Sequence, residues 1–355
     1  MARKIERDLA HFAIYRLPHQ QQCTFIAQRY GEPTLLDAAI ELNQQQGFVF
    51  APFHPSVTCP IVLLRPDVVE TWDVERDNIS SNGESLTEYS TDSIAERIQY
   101  QEDFAHFHAQ LEQHCFEKLV LSRCSSLSTS TSVAVEELFM RACQMYPRLF
   151  IALISSPQCG TWLMATPEIL LDGHGNQWST MALAGTQKMI NSDELAEKIQ
   201  WSEKNQREQQ MVSTYITECI ERFSSHVTQY GPYTSVAANL YHLRTDFSFV
   251  LNESSHLGDV ISALHPTPAV CGLPKEAAYD FILKKESNDR KYYSGFCGPL
   301  DMGERTHLYV SLRCMEVKNS TYDLYAGGGL LSESNEAHEW AETEAKLETM
   351  RRLLY

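Results

Sequence analysis

Three things are missing from this 355-residue sequence: a Cys-x-x-Cys pair, a His-Glu-x-x-His motif, and any apolar run near the roughly 20 residues that span a bilayer. Without the first, the ten irregularly spaced cysteines suggest neither a zinc knuckle nor a disulfide framework, and are read as reduced thiols packed as small hydrophobes. Without the second, none of the thirteen histidines offers the spacing of a histidine-ligated hydrolase metal. Without the third, and with no long hydrophobic segment in the opening MARKIERDLAHF, the protein is expected in the cytoplasm. Positive charge is scarce as well: 29 Lys and Arg stand against 46 Asp and Glu, a net charge of −17. Such a field repels nucleic acid and anionic lipid, so neither is expected as a partner, and an anionic ligand must be held by a local cluster of bases. What remains is ordinary globular material, 43% hydrophobic and 21% charged, enough for one large core or two smaller ones.

No internal repeat is present. The polar, turn-rich stretch RDNISSNGESLTEYSTDS, 76–93, reads as a long surface loop that divides a variable front part, 1–95, from a core over 96–355 within a single domain. After it the pattern alternates. Helices are predicted over 94–112, 135–145, 203–223 and 275–286 and at the end of the chain, with strands over 118–123, 150–155, 161–165, 169–172, 240–250, 308–317 and 322–326. Strands separated by short turns favour antiparallel pairing, so the fold class is α+β: large, mainly antiparallel sheets packed together and flanked by helices.

Two helices carry charge on the face that should be buried. In the last helix Glu339, Glu342 and Lys346 fall on one stripe, and that stripe continues as Met350, Leu353 and Leu354. In the helix over 203–223, Glu208 lies three residues before Met211 and four before Val212, on the apolar stripe. A lone inward glutamate near a helix start is more often a cap or an edge residue, but two helices with the same anomaly point elsewhere. Buried carboxylates must be neutralised by protonation, a base or a cation, and several of them with few bases nearby suit a hard divalent ion such as Mg²⁺.

The chain resembles the chorismate-utilising enzymes, and among them the isochorismate synthases of menaquinone and siderophore pathways. The resemblance covers about 113–355 and rests on EKLVLSR (117–123), ATPEILL (165–171), ALAGTQ (182–187), SEKNQREQQMV (202–212), LHPTPAVCGLPKEAA (264–278), SGFCGPLD (294–301), VSLRCMEV (310–317) and YAGGGLLSESNEAHEWAETEAKL (325–347), in that order. Each is weak alone; the ordered set is specific. It implies an isomerase that adds water at ring C2 of chorismate while the C4 hydroxyl leaves, with Mg²⁺ and no organic cofactor or obligatory protein partner. By similarity Lys118 activates the water and Glu168 is the general acid. Glu208 and Glu342 match magnesium ligands, with Glu339 one turn earlier acting through water. Lys346 would meet the ring carboxylate. Gly327, Gly328 and Gly329 would let backbone N–H groups approach the enolpyruvyl carboxylate, and Arg313 would clamp it. Gly185, Thr186, His265 and Ala269 match positions that line the substrate pocket. Taken singly, Lys118 reads as a surface lysine snorkelling off an edge strand, Glu168 as an exposed turn residue and His265 as a structural histidine.

Within the family, anthranilate synthases typically carry glutamine where this chain has Lys118, and aminodeoxychorismate synthases carry a nucleophilic lysine where this chain has Ala184. Salicylate synthases, which also eliminate pyruvate, share the lysine and glutamate and are the alternative, as is a catalytically silent chorismate-binding subunit. One departure stands out: many relatives have histidine after the metal-binding glutamate, where this chain has Gln209.

Overall fold

The computed structural model describes residues 9–74, 93–189, 199–252 and 257–355. Two nine-stranded sheets dominate it. The first runs in spatial order Gly272–Leu273, Lys118–Ser128, Thr321–Leu330, Cys314–Lys318, Gly160–Thr166, Phe150–Ser156, His11–Arg16, Gln22–Gln28 and Val68–Asp73. The second runs Val227–Ala237, Leu240–Val250, Gln177–Lys188, Ile169–His174, Arg305–Val310, Phe296–Leu300, Gly47–Ala51, Ile61–Leu64 and Thr34–Leu36. All neighbouring strands pair antiparallel.

The sheets pack face to face over an aromatic layer. Phe150 of the first sheet stacks on Tyr309 of the second with ring centroids 4.2 Å apart and planes 3° from parallel. Phe50 stacks on Tyr292 at 4.1 Å, and Trp162 meets Phe50 edge-on at 6.1 Å. Strand Gly47–Ala51 shows why both sheet faces are buried: Phe48 and Phe50 enter the layer between the sheets, while Val49 and Ala51 point the other way into a second core.

Helices close the outer faces. Helix α1 is Ser93–Glu112, α2 Val135–Met145, α3 Glu203–Glu221, α4 Leu257–Leu264, α5 Lys275–Lys285 and α6 Glu336–Arg351. Val212, Ile216 and Ile220 of α3 join Val260 and Ile261 of α4 against Ala182, Phe247 and Phe249 of the second sheet. Leu138 and Phe139 of α2 and Leu347 and Met350 of α6 cover the first sheet, and α1 and α5 enclose Leu119 and Leu121. The starts of α3 and α6 are fixed by side-chain caps: the Asn205 N–H donates to Ser202 Oγ at 3.2 Å, and the His338 N–H donates to Asn335 Oδ1 at 3.3 Å. Among the described residues no helix is long and apolar enough to cross a membrane.

The predicted helices form with their ends shifted by a residue or two, while the strands depart in an informative way. The single strand expected over 308–317 is two strands in different sheets, Arg305–Val310 and Cys314–Lys318, and the chain crosses between them with Arg313 at φ +46°. The front part contributes strands to both sheets. Strands Gln177–Lys188 and Val227–Ala237 and helix α4 went unassigned in the sequence. Of the expected surface loop, residues 76–92 lie outside the described residues.

Because the Phe150 ring fills the layer between the sheets and is fully buried, Phe150→Ala is expected to lower unfolding free energy by about 3–5 kcal/mol. Urea titration checks this as a lower midpoint at unchanged slope.

Candidate active site

Two segments cross between the sheets side by side. Pro167 and Glu168 link Gly160–Thr166 to Ile169–His174, and 311–313 link Arg305–Val310 to Cys314–Lys318. The crossings are tied together, the Val310 N–H donating to Glu168 O at 2.9 Å and the Ala165 N–H to Arg313 O at 3.1 Å. Proline at 167 has no N–H to leave unsatisfied where the ladder stops. Thus Glu168 and Arg313, far apart in sequence, are held at one seam, and both side chains are buried.

Strand Lys118–Ser128 pairs with Thr321–Leu330 so that Val120 faces Gly329 and Ser122 faces Gly327. The three glycines are empty places filled by other groups. Glu208 Oε1 occupies the space a Gly329 side chain would take, and Lys118 Cε lies 2.9 Å from that Cβ position. Glu339 Oε2 and Glu342 Oε1 lie 3.3 and 3.7 Å from the Cβ position of Gly328, and the Tyr293 hydroxyl lies 2.8 Å from that of Gly327. The space these glycines clear is therefore occupied by the protein's own acidic and phenolic groups.

Each of the three acidic side chains has a lysine. Lys118 Nζ, fully buried, lies 2.8 Å from Glu208 Oε1 and has no second partner among the described residues. Lys346 Nζ donates to Glu342 Oε1 at 2.7 Å and to Gly327 O at 2.8 Å. Lys204 of α3 pairs with Glu339 of α6. Burial pushes the Glu208 carboxyl up, but Lys118, Lys204 and Lys346 outweigh it and hold the group below its ordinary range. Glu339 is pushed up, by burial first and then by the charge of Glu342, with Lys204 opposing.

Glu168 has the opposite balance. Its burial dominates and raises the carboxyl to about 8, although Lys118, Lys346 and Arg313 all pull it down. It is therefore protonated at neutral pH, although Lys118 and Lys346, which help keep Glu208 ionised, act on it too. Thr267 directs its hydroxyl at Glu168 and lowers it slightly, without the geometry of a full hydrogen bond.

Arg313 Nη2 donates to His242 Nε2 at 2.5 Å and Nη1 to Ala237 O at 3.1 Å. His242 Nδ1 in turn donates to Gly185 O at 3.0 Å. The imidazole is neutral, because burial and Arg313 keep it well below its ordinary range. Gly185 takes φ +67° at a bulge where the pairing with Leu240–Val250 shifts, and Asn205 packs 3.1 Å from its Cβ position, so a side chain there would be both strained and crowded.

Of the residues expected from the sequence, Glu168, Gly185, Thr186, Glu208, Ala269, Arg313, Gly327, Gly328, Glu342 and Lys346 line one cavity of about 70 Å³, while Lys118, paired with the lining Glu208, and Glu339, paired with Lys204, stand behind that lining. His265 does not: its ring packs edge-on against Phe296 at 5.0 Å and faces a separate, roomier cleft of about 480 Å³ that has none of these acidic groups. The loop after it turns, so that Ala269 and Val270, rather than His265, reach the cavity. His242 and Tyr293 also line it and were missed. Each lies in an ordinary alternating or aromatic stretch that carries no local signal of a site. Glu208, Glu339 and Glu342 supply oxygen donors of the kind a hard dication takes, although among the described residues no ready cluster of three metal-ligating groups exists, the lysines standing in as counter-charges.

Residues 66–355 match the family model described as chorismate binding enzyme. The chain is 28% identical over 309 residues to the isochorismate synthase EntC of Escherichia coli strain K12, covering 84% of this chain and 78% of that protein. It is 34% identical over 198 residues to the salicylate biosynthesis isochorismate synthase of Pseudomonas aeruginosa PAO1, covering 54% of this chain and 42% of that protein. The solved structure of MenF, the menaquinone-specific isochorismate synthase from Escherichia coli, shares the fold at a TM-score of 0.81 and 21% identity, over 99% of this chain and 90% of that one.

Glu168 has a folded pKa of about 8 against a reference of 4.5, so it binds more protons folded than unfolded between those values. Its burial is harmless to stability below about pH 4.5 and increasingly unfavourable as pH rises towards 8. Glu168→Gln carries no ionisation penalty. Its Tm relative to wild type is expected to climb by a few degrees from pH 5 to pH 8, measured by calorimetry; a gap that stays flat or narrows contradicts a protonated Glu168.

Proposed function

The chain belongs to the chorismate binding enzymes, and within that family we propose that it is an isochorismate synthase, converting chorismate to isochorismate. One observation carries the reading: a carboxyl group raised to about 8 lines one cavity with Arg313, Lys346 and Glu208, the partner of the buried Lys118. Adding water at C2 while the C4 hydroxyl departs needs a proton acceptor on one side and a proton donor on the other. Glu168, neutral at pH 7, has a proton to give to the departing hydroxyl. Lys118, the ion-pair partner of Glu208, is assigned as the base that takes the proton from the attacking water. The wall at Ala184 offers no nucleophile, so covalent attack on the ring by a side chain at that position has no agent.

Chorismate is a dianion, and in a protein of net charge −17 the cavity supplies the local bases that capture needs, in Lys346 and Arg313. Arg313 is fixed from behind by His242 and Ala237 O, which leaves it a positioned cation in the cavity wall. The void of about 70 Å³ is small beside common ligand sites of about 300–1,000 Å³, so the side chains that fill it must give way to substrate. Magnesium fits the donor set: Glu208 and Glu342 line the cavity, and Glu339, one turn before Glu342, is raised by burial and then by the like charge beside it, a repulsion that a dication would relieve. When bound, Mg²⁺ would neutralise carboxylate charge as a Lewis acid. Lys346 and Lys204, paired with Glu342 and Glu339, would help hold those carboxylates in position.

Incubation with chorismate and Mg²⁺ followed by chromatography tests the assignment. Isochorismate alone is the expected product; salicylate with pyruvate, or unchanged chorismate, rejects it. Lys118→Gln and Glu168→Gln are each expected to lower turnover by at least about a hundredfold with the fold retained. The alkaline limb of kcat/KM should fall near pH 8, where Glu168 loses its proton. EDTA should abolish turnover and added Mg²⁺ restore it; full activity in metal-free buffer contradicts the metal assignment.

A further inference from the structure

Gln209 is almost completely buried beside Glu208 on α3, and its carboxamide is fully engaged. Its Oε1 accepts from the Ala184 N–H at 2.9 Å, and its Nε2 donates to Ala182 O at 3.1 Å and to Thr245 Oγ1 at 2.9 Å. These partners have a pattern. In a β-strand the N–H and C=O of alternate residues point to the same edge. Ala182 O and the Ala184 N–H are both taken by Gln209, so these two residues turn their polar groups away from the Leu240–Val250 strand. On that edge the pairing with Ile169–His174 reaches only from Gln177 to Ser179. Ala182 O and the Ala184 N–H therefore lie where the sheet has opened and no strand answers them. One side-chain amide does so instead, giving a hydrogen to the carbonyl of one residue and accepting from the N–H two residues on, as a residue of an added strand would.

The location connects this repair to the chemistry. Ala184 is the last regularly paired residue before the bulge at Gly185, whose carbonyl orients His242 and through it Arg313. The residue before Gln209 is Glu208, the counter-ion of Lys118. We propose that Gln209 is a positioning residue: by completing the open strand edge it fixes the rotation and height of α3 against the bulge, and so sets where Glu208 meets Lys118 and where Gly185 stands in the cavity. The requirement is for one acceptor and at least one donor at fixed spacing. An apolar side chain of similar length fills the volume and leaves a buried N–H and a buried C=O without partners.

The inference deepens the proposed function and rests on it only for its kinetic readout. Gln209→Met removes all three hydrogen bonds and Gln209→His keeps one acceptor and one donor. Hydrogen exchange followed by mass spectrometry should show the segment 182–186 exchanging at least tenfold faster in Gln209→Met, with recovery towards wild type in Gln209→His. At 25 °C, where circular dichroism shows the variants folded, kcat for chorismate conversion should fall at least tenfold in Gln209→Met with KM changed less than about threefold, and Gln209→His should regain a substantial part. Unchanged exchange at 182–186, or a lowered Tm with kcat intact, overturns the proposal. If the wild-type protein converts no chorismate, the functional reading falls, while the exchange measurement still decides the role of Gln209.

Discussion

A carboxylate taken out of water must find a positive charge or a proton, because leaving it bare in the interior costs far more than a folded protein has in reserve. Here several are taken in together, and the answers to them knit the molecule around its cavity. Lys118 on a strand meets Glu208 on α3; Lys204 on α3 meets Glu339 on α6; Lys346 on α6 meets Glu342 a turn away. Charge pairing thus runs from sheet to helix to helix, and the relative placing of those elements follows from it. The glycines at 327–329 make the arrangement sterically allowed, since a β-carbon at Gly329 would sit where a Glu208 oxygen now is. Such pairs add little net stability over an apolar core of equal volume, which argues that they are held for what they do.

The same lysines treat two glutamates differently. Glu208 touches Lys118 and stays ionised, whereas Glu168 is only within the field of these bases and is governed by its lost hydration. Direct pairing favours the ionised form of one carboxyl, while burial favours the protonated form of the other. Acid and base roles are often assigned in this way, by environments that push like groups apart.

Much of this was legible beforehand because helical periodicity forces inward residues to declare themselves. Glu208, Glu339, Glu342 and Lys346 could be placed on buried stripes from spacing alone, and the order of short motifs supplied Lys118, Glu168 and Arg313. What spacing does not carry is which stripes meet. Lys204 as the partner of Glu339, Tyr293 at the Gly327 gap and His242 behind Arg313 are tertiary facts with no local signature. His265 shows the converse error: a distinctive word in the sequence located the right loop, but a turn within it gave the cavity to Ala269 and Val270. The front strands escaped for a physical reason. Gly47–Ala51 is buried on both faces, so the polar alternation that marks a half-exposed strand is absent.

The paired crossings at 167–168 and 311–313 bear on how such an enzyme can change. Since these two crossings carry the chain from one sheet to the other, the groups that line the cavity are not the property of any contiguous stretch; they come together from strands and helices far apart in the chain. A cut anywhere between 168 and 313 therefore separates groups that line the same cavity.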